Sequence, residues 1–405
     1  MKTILIALIL GFAGLAKAEP GEPKYPVSDI PEALKNNVNV VFREDKMVFT
    51  IHSESKASFY VHQVVTIFNE KGKKYAVEVI GYDKLSKIKD LSGTVYDALG
   101  KQIKRLKNNE IYDQSAFDGF SLYSDNRFKS IDLTQGTYPY TVEFEYEIEY
   151  KYLFSIPGFV LIPDEKIAVQ NSSYQLRYPQ NLEPRYKVSN TDAKPLQGKT
   201  SDGLQSLTWS FSNVLPIRFE PHGPPKQDLL VTISVAPTLF EYDHYSGTMS
   251  SWDLFGQWIS SLNKGRGELP AATQQKVREL TKNLNTTEEK VKVVYAFLQD
   301  KTRYVSIQLG IGGYQPFAAT VVDQTGYGDC KALSNYMVSM LNTIGIPSHY
   351  ALIRAGEGAA SMETDFPSAQ FNHAIVAVPN GQDTLWLECT SQTNQIGYQG
   401  GYIRN

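Results

Sequence analysis

The stretch Gly326-Tyr327-Gly328-Asp329-Cys330-Lys331 is the most informative part of this chain, because a periodic helical segment begins directly after it. Apolar residues then recur at the three-and-four spacing of an amphipathic helix, at Leu333, Tyr336, Met337, Met340, Leu341 and Ile344. Gly345 and Pro347 predict the end of that helix. Cys330 is therefore expected in the first helical turn, where unpaired amide donors and the positive end of the helix dipole favour a nucleophilic thiolate.

A thiol nucleophile needs a base, and the sequence predicts one on a downstream hairpin. Residues 371–378 have the composition of a strand and include His373, and residues 384–390 form the next predicted strand. Asn380-Gly381 between them is a strong signal for a two-residue turn.

That turn would set the register of the hairpin. With Asn380-Gly381 as the turn, Pro379 lies opposite Gln382 and His373 lies opposite Glu388. Opposed residues share a face of the sheet with Cβ atoms roughly 5 Å apart, so a carboxylate could orient the imidazole. A longer turn would break this register. The hairpin thus predicts a Cys330, His373 and Glu388 triad with the nucleophile, base and orienting acid of a thiol acyl-transfer site.

Each of these residues also has a purely structural interpretation. Cys330 could be a buried small apolar residue or half of a disulfide, and Asp329 before it fits a helix N-cap. His373 could be a hydrogen-bonded core histidine, and Glu388 a solvated charge at a strand edge.

The residues around the three positions resemble a known family. Gly328-Asp329-Cys330-Lys331, Phe371-Asn372-His373-Ala374 and Trp386-Leu387-Glu388-Cys389-Thr390 are similar to the motifs of the transglutaminase-like (papain-like) superfamily. The resemblance implies that Cys330 is the nucleophile, that His373 is the general base and acid, and that Glu388 replaces the family's usual Asp. Ala332 is a second departure, because many relatives carry an acidic residue there.

Together with the β-rich region upstream, the chain resembles exported bacterial proteins that join an uncharacterised β domain, DUF3857, to a transglutaminase-like domain. The implied fold class is α+β, with an N-terminal antiparallel β-sandwich followed by the cysteine domain. We expect a signal peptide at 1–18, the β-sandwich at 19–237 and the transglutaminase-like domain at 238–405. Such relatives often continue further, so a C-terminally truncated form is one interpretation.

The first residues predict export. Lys2, an apolar run from Ile4 to Leu15 and the Ala16-Lys17-Ala18 cleavage pattern are typical of a secretory signal, and the run is too short for a retained membrane span. Export to the periplasm, cell envelope or medium permits a disulfide between the two cysteines. Strand alternation instead predicts that Cys389 points away from Glu388 and the cleft, as a buried structural residue.

Periodicity distinguishes the two predicted domains. Residues 141–150 alternate apolar side chains with glutamates, which indicates a half-buried strand whose Glu row is a solvated face or, as an alternative, a site for a cation or basic partner. Beyond Pro237 the pattern becomes helical, and Thr286 with Glu289 predicts a capping box. The glycine-containing loop 304–317 leads toward Cys330, and Gln308 or Tyr314 could line the cleft or simply pack within the loop.

Composition limits the classes of function that we expect for this chain. The 405 residues carry a net charge of −3 and are 42% hydrophobic, with no basic excess that would favour nucleic acid. The six histidines are scattered and no glycine-rich phosphate loop is present, so we predict no metal and no cofactor.

The function that these features predict is an exported thiol acyl-transfer enzyme acting on peptide or cell-envelope amides. A thioester on Cys330 would be resolved by water, as in a peptidase or amidase, or by an amine, as in a transferase. The alternative is a catalytically silent envelope protein for binding or assembly, which the residues Glu388 and Ala332 favour. The sequence does not identify a partner or an oligomeric state.

Overall fold

The computed structural model describes residues 22–116, 121–356 and 361–398. The predicted signal peptide lies outside these residues. Within them, no helix combines the length and the apolar character that crossing a membrane requires.

The N-terminal half of the chain consists mainly of strands. They are β1 (Val40–Ser53), β2 (Lys56–Ile67), β3 (Val77–Tyr82), β4 (Ser86–Tyr96), β5 (Gln102–Arg105), β6 (Tyr112–Ser115), β7 (Ser121–Ser124), β8 (Arg127–Asp132), β9 (Tyr140–Tyr150), β10 (Phe159–Val160), β11 (Ile167–Tyr178), β12 (Arg185–Ser189), β13 (Leu196–Lys199), β14 (Gln205–Val214), β15 (Thr232–Ala236), β16 (Leu239–Tyr242) and β17 (Tyr245–Thr248). A short helix, α1 (Glu32–Lys35), precedes them, and 3₁₀ turns lie at Val27–Asp29, Glu70–Ala76, Asn108–Glu110 and Lys226–Asp228.

The largest sheet has the strand order β13-β14-β11-β1-β2-β9-β4-β5. Its described pairs are antiparallel, as the sequence predicted, except for β1 and β11, which run parallel with Val40 opposite Ile167. Residues 54–166 lie between these two strands in the chain, and parallel neighbours need such a long connection. The hairpin-based reasoning applied to the sequence could not detect this pair.

Two smaller sheets, β10-β15-β12 and β3-β8-β6, cover one face of the large sheet. The Phe159 ring of β10 stacks on Tyr174 of β11, with centroids 5.7 Å apart, and Tyr186 of β12 packs edge-on against Trp209 of β14. The alternation in β9 explains this layering, because its apolar side chains enter the core between the sheets.

The Glu row of β9 lies on the opposite face and contacts other residues of the same sheet. Glu143 accepts hydrogen bonds from Tyr96 and pairs with His62, at 2.6 and 3.0 Å. The hydrogen bond with His62 is the main reason why the pKa of Glu143 falls to about 2. Both oxygens of the Glu143 carboxylate therefore already contact side chains of the same protein.

The C-terminal half of the chain surrounds one buried helix. Its helices are α2 (Trp252–Asn263), α3 (Ala271–Thr281), α4 (Thr287–Lys301), α5 (Ala319–Thr325) and α6 (Cys330–Thr343), with a 3₁₀ turn at Gly310–Gly313. Its strands are β18 (Arg303–Tyr304), β19 (Ser306–Gln308), β20 (Tyr327–Gly328), β21 (His349–Ile353), β22 (His373–Asn380) and β23 (Asp383–Leu387). Helix α6 packs against α3, α4 and α5 and against the sheet β21-β22-β23. The predicted Thr286 and Glu289 capping box is present at the start of α4.

The loop that leads to Cys330 pairs with a strand of the N-terminal half. Strand β19 pairs in parallel with β7, with Ser306 opposite Ser121 and Gln308 opposite Ser124. Main-chain hydrogen bonds between the two strands therefore hold the turn between β7 and β8 beside this loop. The domain boundary at 237/238 remains a prediction.

Candidate active site

Cys330 is the first residue of α6, as the sequence predicted. Asp329 is the N-cap, and its Oδ1 accepts a 2.9 Å hydrogen bond from the amide of Ala332. The Cys330 thiol is free and only 6% exposed. The first turn of α6 directs its amide donors toward this end of the helix, which favours a negative charge on the sulfur.

The N-cap charge is compensated inside the protein. Lys331 Nζ lies 2.7 Å from Asp329 Oδ2, and both side chains are buried. Ala332 is fully buried beside this pair. An acidic side chain at Ala332 would place a further charge in a space that the structure fills with an apolar methyl group.

His373 begins β22 and connects the thiol to an acid. Its Nε2 lies 2.7 Å from Oε2 of Glu388. Burial by itself lowers the pKa of His373, but hydrogen bonds with the side chains of Cys330 and Glu388 outweigh burial and raise that pKa to about 9. Because Nε2 pairs with Glu388, Nδ1 is the ring nitrogen that can form the hydrogen bond with the Cys330 thiol.

Glu388 is the buried third member of the site and is 1% exposed. Its Oε1 accepts hydrogen bonds from the amide and the hydroxyl of Thr390, at 3.0 and 2.6 Å. Burial raises the pKa of Glu388, but the hydrogen bonds from His373 and Thr390 outweigh it, so the net shift is downward. The carboxylate is thus held ionised and oriented toward the imidazole.

The predicted register of this hairpin was wrong by two residues. Asn380 pairs with Asp383, so Gly381 and Gln382 form the turn, with Gly381 at φ 66°. Glu388 follows the last residue of β23, and the pairing places it nearer to Ile375 than to His373. A shift of two residues keeps every side chain on its face of the sheet, and the long Glu side chain reaches diagonally to the imidazole.

The second cysteine packs where strand alternation predicted. Cys389 is 1% exposed within the apolar core that includes α6, and it is not in a disulfide. Burial raises the pKa of its thiol strongly. Cys389 is therefore a structural residue, and no disulfide links it to Cys330.

Tyr350 is a residue near Cys330 that sequence reasoning missed. It lies on β21, and its hydroxyl is buried without a hydrogen-bond partner among the described residues. Burial, followed by the charges of Cys330 and Asp329, raises the pKa of Tyr350 well above its ordinary value. The position of Tyr350 depends on the pairing of β21 with β22, for which the sequence offered no signal.

Cys330 and His373 line a cavity of about 820 Å³ between the two halves of the chain. Tyr314 lines it, as the sequence analysis considered, whereas nothing is described for the side chain of Gln308. Other residues of the wall come from the C-terminal half, namely Tyr304, Lys331, Leu352, Phe371, Asn372 and Thr390. The N-terminal domain supplies Asp83, Asp125 and Asn126, and β16 supplies Tyr242. The sequence did not predict these contributions, because they depend on how the domains pack.

The described residues contain no group of three or more His, Cys, Asp or Glu side chains arranged to hold a metal ion. The chemistry available at this site is that of a thiol, an imidazole and a carboxylate in hydrogen-bonded sequence. Such a group can transfer an acyl chain through a covalent thioester.

Comparison with protein families gives two matches. Residues 53–218 match DUF3857, described as a domain of unknown function with a solved structure. Residues 274–394 match the transglutaminase-like superfamily and include all three residues of the site. A comparison with curated proteins finds no match.

Solved structures also resemble this chain. A "putative protease" from Parabacteroides distasonis superimposes with a TM-score of 0.64 at 16% identity, over 86% of this chain and 67% of that protein. This similarity shows a shared fold across most of the chain. A "putative cysteine protease" from Cytophaga hutchinsonii aligns over 84% of this chain and 78% of its own length at 11% identity, but its TM-score of 0.24 does not establish a common fold.

Proposed function

This chain joins a DUF3857 domain to a domain of the transglutaminase-like superfamily, and we propose that it is an exported cysteine enzyme that acts on amide bonds of peptides or the cell envelope. The observation that carries the proposal is the buried chain of hydrogen bonds from Cys330 through His373 to Glu388. Cys330 and His373 line a cavity that is large enough for a peptide segment.

The proposed reaction has two steps. The Cys330 thiolate attacks the amide carbonyl and forms a carbon–sulfur bond, and the carbon–nitrogen bond breaks as His373 protonates the departing amine. Water or an amine then attacks the thioester, His373 takes its proton, and the carbon–sulfur bond breaks. The raised pKa of His373 keeps its proton available for the first step.

Two donors could stabilise the oxyanion that forms between these steps. The backbone amide of Cys330 lies at the first position of α6, where amide groups have no acceptor within the helix and can donate to an oxyanion. The Tyr350 hydroxyl is a second donor, because its raised pKa keeps the proton on the oxygen and no described group receives it.

The proposal is tested by alkylation and by acyl transfer. Iodoacetamide should modify Cys330 at pH 6.5 about tenfold faster in the native chain than in His373→Ala, because the imidazolium stabilises the thiolate. Mass spectrometry measures the rate at each cysteine, and buried Cys389 reports any unfolding. Incubation with a peptide-amide library and hydroxylamine should yield hydroxamates that Cys330→Ser does not form.

Equal alkylation rates in the native chain, His373→Ala and Glu388→Gln, with no hydroxamate product, would contradict the proposal. That result would favour the alternative of a catalytically silent protein for binding or assembly.

A further inference from the structure

Two carboxylates of the N-terminal domain line the cavity that contains the Cys330 thiol. We propose that Asp83 and Asp125 form a subsite that binds a primary ammonium group of the amide substrate. This inference rests on the proposed function, because it requires that the cavity receive a substrate. It assigns the DUF3857 domain a direct part in substrate selection.

Asp83 is held in position before any substrate arrives. Its Oδ1 accepts hydrogen bonds from the amide of Leu85 and the hydroxyl of Ser86, at 2.9 and 2.7 Å. These contacts fix the carboxylate in the turn between β3 and β4. A carboxylate held this way loses little conformational freedom on binding a cation.

Asp125 has an oxygen that the described residues leave unsatisfied. Its Oδ2 is buried and accepts no hydrogen bond from them. A buried carboxylate oxygen without a donor is destabilising, whereas a donor supplied by a ligand would relieve that loss. The parallel pairing of β7 with β19 holds the turn that carries Asp125 beside the cavity.

The cavity wall also suits a cation. Tyr242 lines the same cavity, and after burial and Tyr314 the charges of Asp83 and Asp125 are the next contributions that raise its pKa. Both carboxylates therefore act on the same part of the wall. Tyr242 and Tyr314 both line the cavity, and aromatic rings can attract a cation.

Two lysines lie near this part of the wall. Lys331 is already paired with Asp329. Lys84 is exposed. Its Nζ approaches Gly310 of the cavity wall, and a Cβ atom added at Gly310 would lie 2.5 Å from this nitrogen.

The bound group is a recognition element and not the amine that attacks the thioester. An attacking amine must be neutral, whereas carboxylates stabilise the protonated form. An ammonium group offers three donors to the carboxylate oxygens of this subsite. The ammonium could belong to a peptide N-terminus or to a lysine-type side chain, and the two sources can be separated experimentally.

The test uses three chloromethyl ketone probes that carry an ammonium group on the side chain, at the N-terminus or at neither position. Acetyl-alanyl-norleucine is neutral, acetyl-alanyl-lysine carries a side-chain ammonium, and alanyl-norleucine with a free amino group carries a terminal ammonium. Mass spectrometry gives the rate at which each probe modifies Cys330, and each rate is divided by the iodoacetamide rate of the same variant.

At least one ammonium probe should react about tenfold faster than the neutral probe, as expected for a hydrogen-bonded charged group. The ammonium probe that reacts faster than the neutral probe shows whether the ammonium belongs to a side chain or to a peptide N-terminus. In Asp83→Asn with Asp125→Asn the preference should fall close to unity, and Asp125→Asn alone should reduce it. Asn keeps an oxygen that can maintain the Asp83 turn, so the variant preserves the local structure.

Asp192→Asn is the matched control, because Asp192 is exposed on the same domain and does not line the cavity, and it should keep the full preference. Equal rates for the three probes, or a preference that survives in the double variant, would overturn the subsite. If His373→Ala also leaves iodoacetamide alkylation unchanged, the proposed function fails together with the subsite. If His373→Ala slows iodoacetamide alkylation as expected but the three probes react at equal rates, only the subsite is rejected.

Discussion

At the scale of single residues, the carboxylate of the site shows why Glu replaces Asp here. Glu388 lies just after β23, diagonal to His373, and the additional methylene spans this offset to give a 2.7 Å contact. Thr390 fixes the other carboxylate oxygen. A shorter Asp at this position would not reach the imidazole without movement of the main chain.

Glu388→Gln should destabilise the protein in a pH-dependent way. The folded-state pKa of His373, about 9, lies above its ordinary value of 6.5. The stabilisation that the interactions of His373 with Cys330 and Glu388 provide is therefore fully present below pH ~6.5 and is lost as the pH rises through ~9. We expect the variant to lose about 3 kcal/mol at pH 6, and much less at pH 10.

Denaturant unfolding at the two pH values measures this difference. Glu279→Gln on the exposed side of α3 is the control, and its effect should be small at both pH values. An equal loss for Glu388→Gln at pH 6 and pH 10 would show that the ion pair with His373 does not form.

At the scale of elements, the start of α6 combines a cap, a thiol and an ion pair in three consecutive residues. Asp329 caps the helix, Cys330 carries the thiol, and Lys331 neutralises the cap. The local sequence indicated the cap and the helix. It did not indicate that Lys331 is buried, because that depends on the elements that cover this end of α6.

Lys331→Met should lower the free energy of unfolding by about 3 kcal/mol, because it leaves the Asp329 charge buried and unpaired. Adding Asp329→Asn should recover part of this loss, since Asn still caps a helix and carries no charge. Denaturation midpoints measure both effects. Lys276→Met, on an exposed position of α3, is the control. Wild-type stability of the single variant would contradict a buried ion pair.

The hairpin of β22 and β23 permits a second prediction at this scale. Gly381 has φ 66°, with open space around the position of a Cβ atom. Gly381→Ala should therefore cost about 1 kcal/mol through backbone strain alone. Gln382→Ala, at the next turn position, should change stability by less than about 0.5 kcal/mol. Thermal unfolding distinguishes the two variants, and equal effects would argue against the observed turn.

At the scale of the whole molecule, the N-terminal domain contacts the segment that precedes His373. Arg185 of β12 donates to the carbonyl of Pro367 and lies over the Phe366 ring. Lys187 pairs with Asp365 at 2.7 Å. The domain thereby supports the chain leading to His373, in addition to lining the cavity.

Removing these contacts should loosen that segment. Arg185→Ala with Lys187→Ala is expected to increase chymotryptic cleavage at Phe366 about tenfold, because the contacts together contribute on the order of 1 to 2 kcal/mol. Limited proteolysis with mass spectrometry measures the rate. Lys199→Ala on exposed β13 should leave it unchanged. Unchanged cleavage in the double variant would show that other contacts hold the segment.

The features that depend on local periodicity could be predicted before the structure was known. These include helix α6 with Cys330 at its start, the Asp329 cap, the capping box of α4, the alternation in β9 and the strand that carries His373. The sequence also placed Glu388 on the correct face of its hairpin, because an error of two residues preserves strand alternation. Each of these features follows from residues close together in the chain.

The sequence did not predict which distant residues share the site, because this depends on tertiary packing. The parallel pairing of β1 with β11, the buried Tyr350 hydroxyl and the carboxylates of Asp83 and Asp125 in the cavity all depend on packing between segments far apart in the sequence. No local pattern records such contacts, because a turn residue has the same sequence signal whether it faces solvent or a nucleophile.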